Sequence, residues 1–209
     1  GGVVGGMSRL LVLIPVSGPD APLQRLAERS LKAERLRGHD VTSRVLDGPA
    51  SHGAKLDYGK ALAPAYDIVV TMDSDCVVFA GWADWITRTL ADPLIGACGA
   101  PAVDKPGLHP SMLAMRAGDY AKAPSFAPAD DQDVAGAVSA WVEGSGLYLQ
   151  AAPVSRGSAT SKHDWWYYGM PNDLWWHLGS GTASAWPGWT RQTYRTLRGW
   201  GGSRGHAKL

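Results

Sequence analysis

Cysteine is scarce in this sequence. Among 209 residues there are two cysteines, Cys76 and Cys98, and each lies within an apolar segment. A single possible bridge is not a disulfide framework of the kind that supports small secreted proteins. We therefore expect reduced thiols and a cytoplasmic location.

Long apolar runs are also missing. The longest run near the start, Leu10 to Val16, is far shorter than the ~20 residues that span a bilayer. It lacks the basic flank and the small-residue cleavage site of a secretory signal, and the glycine-rich residues 1–6 read as a cloning remnant before a natural start at Met7. The sequence therefore predicts no membrane helix.

Neither sign of charge is in excess. Twenty Lys and Arg against nineteen Asp and Glu leave a net charge of +1, which gives no electrostatic reason to expect nucleic acid as a partner. Hydrophobic residues make up 45% of the chain, enough for a core, and the length fits one domain, which we place at residues 7–190. Residues 191–209 are predicted to be a basic tail, with a solvated surface favoured over membrane contact.

Apolar runs alternate with segments of helical periodicity along the first three quarters of the chain. The predicted strands are near 10–14, 41–46, 68–72, 95–100, 111–116 and 147–150, and the predicted helices are near 23–36, 53–63, 82–90 and 133–143. This alternation predicts an α/β domain with a mostly parallel sheet flanked by helices. In such sheets ligands bind beyond the carboxyl ends of the strands.

Two aspartates follow directly after the predicted strand Ile68 to Met72. In Asp73-Ser74-Asp75 the carboxylates are one residue apart at the mouth of a strand. Such a pair suits Mg²⁺ or Mn²⁺, which prefers oxygen ligands and usually also holds substrate phosphates. Aspartates that only turn the chain at a strand end are the alternative.

Several marks around this triplet occur in the order found in one family. The strand ending at Pro15, the acidic Asp47 after the second strand, the helix with Lys55 and the strand entering Asp73 resemble the inverting, family-two type glycosyltransferases with the GT-A fold. The resemblance covers about residues 10–180. It implies that a UDP-, GDP- or dTDP-sugar donor binds at Pro15, Asp47, Lys55, Asp73 and Ser74.

The resemblance also implies a metal site. Asp75 is expected to bind Mn²⁺ or Mg²⁺ directly, and Asp73 to share the ion or to orient the ribose. In many such enzymes a histidine in a C-terminal loop is the third ligand, and His177 resembles that position, with His163 as its competitor. A histidine that only packs or hydrogen bonds in this tryptophan-rich segment is the alternative.

An inverting transferase needs a general base for the acceptor hydroxyl. The family places an Asp or Glu at the start of a helix beneath the acceptor, and here Asp133 resembles that residue, with Asp131 as second choice. Acidic residues at a helix N-terminus also cap its free amide groups and complement its dipole. Capping is therefore the structural alternative for both residues.

Tryptophan is abundant in the last quarter of the chain. Seven of the ten tryptophans lie between Trp165 and Trp200. Aromatic faces suit the apolar face of a sugar, so Trp165, Trp166 and Trp176 are candidate acceptor-binding residues, although they equally suit a covering layer on the sheet. The acceptor itself, whether glycan, lipid-linked sugar, protein or small molecule, stays open.

The combined interpretation is a metal-dependent inverting glycosyltransferase. A nucleotidyltransferase is the second hypothesis, but it predicts a glycine-rich basic loop after the first strand, which residues 17–20 do not provide. A non-catalytic carbohydrate-binding module is the third. It predicts sugar binding that needs neither nucleotide nor metal.

Overall fold

A computed structural model describes seven stretches of the chain. These are residues 7–16, 21–36, 38–101, 107–128, 131–152, 170–171 and 174–177. In chain order the elements within them are β1 (Arg9–Pro15), α1 (Ala21–Leu36), β2 (Asp40–Leu46), α2 (His52–Leu62), β3 (Ile68–Met72), β4 (Cys76–Val78), α3 (Trp82–Leu90), β5 (Ile95–Pro101), β6 (Leu108–Arg116), α4 (Ala117–Lys122), α5 (Asp131–Gly144), β7 (Tyr148–Ala151), β8 (Met170–Pro171) and β9 (Trp175–His177).

The main sheet has six strands in the order β2-β1-β3-β6-β5-β7. All of them run in one direction except β6, which is antiparallel to both of its neighbours. The five residues of β3 are all buried, as expected for a continuous apolar run covered on both faces. The predicted mostly parallel α/β sheet is therefore confirmed.

Two hydrophobic cores cover the two faces of this sheet. Alternate residues of β3 enter different cores, with Val70 in the core beneath α1 and α3 and Val69 in the core beneath α2, α4 and α5. The first core contains Leu31 of α1 and Ile86 of α3. The second contains the helices that lead to the candidate site.

Some elements differ from the prediction. A second sheet, β4-β9-β8, consists of strands of three residues or fewer, which are too short to show a period in the sequence. The short helix α4 was not predicted, and α5 begins at Asp131 instead of near residue 133. The predicted tail at 191–209 lies outside the described residues.

Both cysteines are free and buried, in agreement with the expectation of reduced thiols. Burial raises the pKa of Cys98 to about 12, so its thiol stays protonated at neutral pH. Within the described stretches, none of the helices has the length and apolar character needed to cross a membrane.

Candidate functional site

The carboxyl ends of three neighbouring strands meet at one edge of the main sheet. Pro15, the last residue of β1, lies opposite Leu46, the last residue of β2, and Leu13 lies opposite Thr71 of β3. Because these strands are parallel, the residues that follow β2 and β3 emerge at the same edge as Pro15. The structure thus brings Pro15, Asp47 and Asp73 to one end of the sheet.

The Asp73–Asp75 segment forms a tight turn at this edge. The backbone N–H of Asp73 donates to the carbonyl of Ser111 on β6 (3.0 Å), and the N–H of Cys76 donates back to the carbonyl of Asp73 (3.1 Å). Ser74 is buried, whereas Asp73 and Asp75 are partly exposed. Both acidic residues are therefore accessible from solvent while their backbone is held by the sheet.

The second sheet places His177 next to this turn. In the antiparallel pair of β4 with β9, the Cα of Cys76 lies opposite the Cα of His177, and Val77 lies opposite Trp176. Directly opposed residues in such a pair have Cα atoms about 4.5–5.5 Å apart. The backbone of His177 is thus next to the residue that follows Asp75; for His177 and Trp176 only the backbone is described.

Lys55 reaches the same edge from α2. Ser51 caps this helix by accepting a hydrogen bond from the N–H of Ala54 (3.2 Å). Lys55 is 5% exposed, and its Nζ donates to the carbonyl of Val16, just beyond β1 (2.7 Å). An ammonium group has three donors, and Val16 is its one acceptor among the described residues. Positive charge is therefore buried between β1 and α2 at the end of the sheet.

Asp47 lies on the solvent side of this edge. It is exposed, and its Oδ1 accepts a hydrogen bond from the N–H of Gly48 (2.6 Å). Gly48 has a φ of 110°, in the region that favours glycine, so the chain turns sharply away from β2 here.

Two buried hydroxyl groups lie beneath the acidic turn. Thr71 Oγ1 on β3 and Ser111 Oγ on β6 have no hydrogen-bond partner among the described residues. Thr71 is two residues before Asp73 on the same strand, and the Ser111 carbonyl accepts from Asp73, so both hydroxyl-bearing residues flank the point where β3 ends. Buried polar groups without a hydrogen-bond partner are uncommon, and ordered water often satisfies them.

The N-terminus of α5 also lies at the carboxyl edge. Ser51, at the start of α2, donates through its hydroxyl to the carbonyl of Ala127 (3.3 Å), four positions before α5 begins. Asp131 is the first residue of α5 and Asp133 lies in its first turn; the backbone alone is described for both. Since α2 starts at the carboxyl edge, this contact brings both candidate bases toward the same end of the sheet.

One group near the site was not assigned a role from the sequence. The carboxylate of Asp57 on α2 accepts three hydrogen bonds from the segment before α5 and is paired with Lys60. A single carboxylate inside a helix gives no local pattern that predicts such partners, which are about 70 residues away in sequence. His163, Trp165 and Trp166 lie outside the described residues.

No protein-family model and no curated protein matches the sequence. The structure, by contrast, is similar to solved glycosyltransferases. The catalytic domain of Drosophila β1,4-galactosyltransferase 7, in complex with xylobiose, has a TM-score of 0.54 at 16% identity over 86% of this chain and 73% of that chain.

Two further structures are comparably similar. A glycosyltransferase involved in glycosylation of the major capsid of the virus PBCV-1 has a TM-score of 0.54 at 13% identity, over 90% of this chain and 99% of that chain. The mannosyltransferase PcManGT from Pyrobaculum calidifontis, in complex with GDP-Man and Mn²⁺, has a TM-score of 0.52 at 15% identity, over 73% and 59%. At this level of identity the likeness establishes architecture, and the chain has the GT-A fold that its sequence predicted.

Proposed function

We propose that this protein transfers one sugar from a nucleoside diphosphate sugar to an acceptor hydroxyl, with inversion and with Mn²⁺ or Mg²⁺. The observation that carries the proposal is the accessible Asp73–Asp75 turn, with the buried Lys55 ammonium at the same edge of the sheet. Opposite charges at the carboxyl ends of neighbouring strands suit a metal and a diphosphate together.

The donor set fits a hard divalent cation. Two carboxylates are a common protein contribution to a Mg²⁺ or Mn²⁺ site in which substrate phosphates complete the shell. In the described stretches no group of three or more His, Cys, Asp or Glu side chains is placed to hold a metal. Asp75 and Asp73 would hold the ion together with the diphosphate, with His177, whose side chain lies outside the described part of the chain, as the proposed third protein ligand.

Each residue has a defined task in this scheme. Pro15, Asp47 and Ser74 line the nucleotide side of the donor, and Lys55 neutralises phosphate oxygens. Asp133, or Asp131 in its place, accepts the proton of the acceptor hydroxyl as the bond between the sugar and the diphosphate breaks. A bound Mn²⁺ would offset the charge that develops on the departing diphosphate. The acceptor would contact Trp165, Trp166 and Trp176.

Similar structures support the choice of ligands. A second structure of the Drosophila enzyme, with a TM-score of 0.51 at 14% identity, contains manganese, UDP-Gal and xylobiose, and PcManGT contains GDP-Man and Mn²⁺. On that basis we propose a nucleotide sugar and Mn²⁺ or Mg²⁺ as the ligands of this protein. The two free cysteines support a cytoplasmic location.

Ligand binding separates this function from its alternatives. We expect a panel of UDP-, GDP- and dTDP-sugars to raise the melting temperature in the presence of Mn²⁺ and not in chelator, because a ligand that binds only the folded state stabilises it. Asp75→Ala should abolish this shift, and Asp40→Ala, which removes an exposed carboxylate at the opposite edge of the sheet, should retain it. A shift with sugars alone, or with nucleoside triphosphates and pyrophosphate release, would contradict the proposal.

A further inference from the structure

The carboxylate of Asp57 collects its hydrogen bonds from one short segment. It accepts from Ser125 Oγ (2.6 Å), from the backbone N–H of Phe126 (3.0 Å) and from the backbone N–H of Ala127 (2.9 Å). All three donors lie between α4 and α5. One side chain of α2 thus fixes both the path and the orientation of the chain that leads into α5.

Lys60 completes this arrangement one helical turn further along α2. Its Nζ lies 2.9 Å from an Asp57 oxygen and donates to the carbonyls of Ala123 (2.9 Å) and Pro124 (2.7 Å). The same Nζ is 4.5 Å from the centroid of the Phe126 ring. The Lys60 ammonium therefore contacts Ala123 and Pro124, and the Asp57 carboxylate contacts residues 125–127.

The apolar part of the segment is buried against the same helix. Phe126 is fully buried, and its ring centroid is 5.7 Å from that of Tyr120, whose hydroxyl donates to the carbonyl of Leu56 on α2 (2.8 Å). Partial burial by itself raises the pKa of Asp57, but its hydrogen bonds from Ser125, Lys60 and the two amides outweigh this effect and lower the pKa below the usual value. Asp57 is therefore a carboxylate at neutral pH.

The opposite side of α2 contacts the donor edge. Lys55, two residues before Asp57, donates to the carbonyl of Val16 beyond β1. The Ser51 hydroxyl accepts from the N–H of Ala54 on α2 and donates to the carbonyl of Ala127. Two residues correspond to a rise of about 3 Å along a helix. A single rigid helix thus joins the end of β1 to the segment that leads into α5.

We propose that Asp57 and Lys60 are positioning residues that hold the N-terminus of α5, with its candidate base, at a fixed place relative to the donor edge. This inference rests on the function proposed above. A base that is displaced by about 1 Å loses much of its catalytic effect, although the donor still binds. The expected signature is therefore a fall in kcat with little change in donor binding.

The test compares four variants. Asp57→Ala removes the three bonds that Asp57 accepts from the segment, and Ser125→Ala removes one of them. Asp57→Asn retains one oxygen, which can accept from one of the two amides, because Phe126 donates to Oδ1 and Ala127 to Oδ2. Asp67→Ala is the matched control, because Asp67 also accepts from a backbone N–H (Arg9, 2.8 Å) and pairs with a basic side chain, but at the opposite edge of the sheet. Transfer rates are measured with Mn²⁺ and donor well below each variant's melting temperature.

We expect Asp57→Ala to lower kcat by about 10- to 100-fold, with the donor dissociation constant unchanged within about twofold. Asp57→Asn should restore part of the lost rate, Ser125→Ala should have an intermediate effect, and Asp67→Ala should keep the wild-type kcat. Equal loss of kcat in Asp57→Ala and Asp67→Ala, or wild-type kcat in Asp57→Ala, would overturn the proposal.

Amide hydrogen exchange separates this proposal from the function on which it rests. In Asp57→Ala the amides of Phe126, Ala127 and the first half of α5 should exchange at least about tenfold faster, whereas those of β1 and β3 should not change. Unchanged exchange in α5 would refute the positioning role even if the enzyme is active. If the wild-type protein transfers no sugar and Asp57→Ala still shows the faster exchange, the proposed function is refuted and the structural role of Asp57 stands.

Discussion

At the amino-terminal edge of the main sheet, Arg9 and Asp67 pair with one another at the surface, whereas at the carboxyl-terminal edge Lys55, Thr71 and Ser111 are buried. Arg9 and Asp67 are each about half exposed at the first edge. At the second edge Lys55 is buried, and the hydroxyls of Thr71 and Ser111 are buried without a partner among the described residues. These groups therefore differ in burial between the two edges, although Glu34, just before β2, is also buried.

This difference can be expressed as a cost in stability. A buried hydroxyl that makes no hydrogen bond costs about 1–3 kcal/mol, and an apolar residue of similar size would avoid that cost. In native proteins such groups are explained by an ordered water or ion, by strain or by a functional role. The comparison therefore predicts that substitutions at the two edges have opposite consequences for activity and for stability.

The largest effect is expected from Lys55→Met, which keeps the length of the side chain and removes its charge. Without the ammonium, the diphosphate loses a positive partner at the sheet edge, so we expect kcat/KM for the donor to fall by about 100-fold. The free energy of unfolding should change little, because the cost of leaving the Val16 carbonyl without its donor is offset by the removal of a buried charge. Steady-state kinetics and urea unfolding measure the two quantities, and wild-type kcat/KM would contradict the assignment.

The reciprocal substitution at the amino-terminal edge is Arg116→Met. Arg116 pairs with Asp119 (2.7 Å) and donates to the carbonyls of Leu90 (3.1 Å) and Asp92 (3.2 Å). Removing these bonds should lower the free energy of unfolding by about 2 kcal/mol. The kcat of the folded enzyme should not change, and a fall in kcat without a fall in stability would show that the two edges are not separable in this way.

A matched pair of serine substitutions sharpens the comparison further. Ser30 is buried, donates to the Ala27 carbonyl (2.7 Å) and accepts from the N–H of Val78 (3.0 Å), so Ser30→Ala should lower the free energy of unfolding by about 1–2 kcal/mol. Ser111 is equally buried, but its hydroxyl has no partner in the described part of the chain. Ser111→Ala should therefore raise the free energy of unfolding by about 1 kcal/mol. Losses of equal size in urea unfolding would mean that a water molecule satisfies Ser111.

The smallest effect concerns acid stability. The backbone hydrogen bond from Arg9 is the main cause that lowers the pKa of Asp67, and the pKa of Asp57 is lowered as well. A carboxyl group with a lowered pKa in the folded state stabilises the protein fully above its unfolded pKa of about 3.9, and this stabilisation is lost as pH falls through the folded pKa. Both Asp57→Asn and Asp67→Asn should therefore reduce the loss of stability below about pH 4.

The urea midpoint measured from pH 6 to pH 2.5 tests this expectation. Asp57 is the less exposed of the two carboxylates, so its substitution should change the acid limb more than that of Asp67. An acid limb that is identical in wild type and Asp57→Asn would show that this carboxylate does not contribute through ionisation.

The positions of the main strands along the chain were predictable because each carries a clear signal. The strand at Ile68–Met72 is a continuous run of buried apolar and β-branched residues, and Gly38 follows α1 with a φ of 95°, as expected of a helix-ending glycine. The strand β4 carried no separate signal, because three residues directly after a turn do not show a period. Its partner β9 lies in a tryptophan-rich segment where no regular structure was predicted.

The candidate site was predictable only in part. Pro15, Asp47 and Asp73 emerge at one edge because parallel strands place their ends together, a consequence of topology that the sequence pattern conveys. Lys55 was expected near the donor, but its bond to the Val16 carbonyl was not, and neither was the contact of Asp57 with Ser125. Such contacts join distant segments and depend on the packing of α2, which no local pattern encodes.

The pairing of β4 with β9 has a consequence for how the protein acquires activity during synthesis. Cys76 and His177 are about a hundred positions apart in sequence. The strand β9 must therefore leave the ribosome before His177 can lie next to the Asp73–Asp75 turn. Closing so long a loop is slow compared with forming a helix or a hairpin. We therefore expect a nascent chain that ends before residue 170 to build most of the main sheet and still fail to retain a nucleotide sugar.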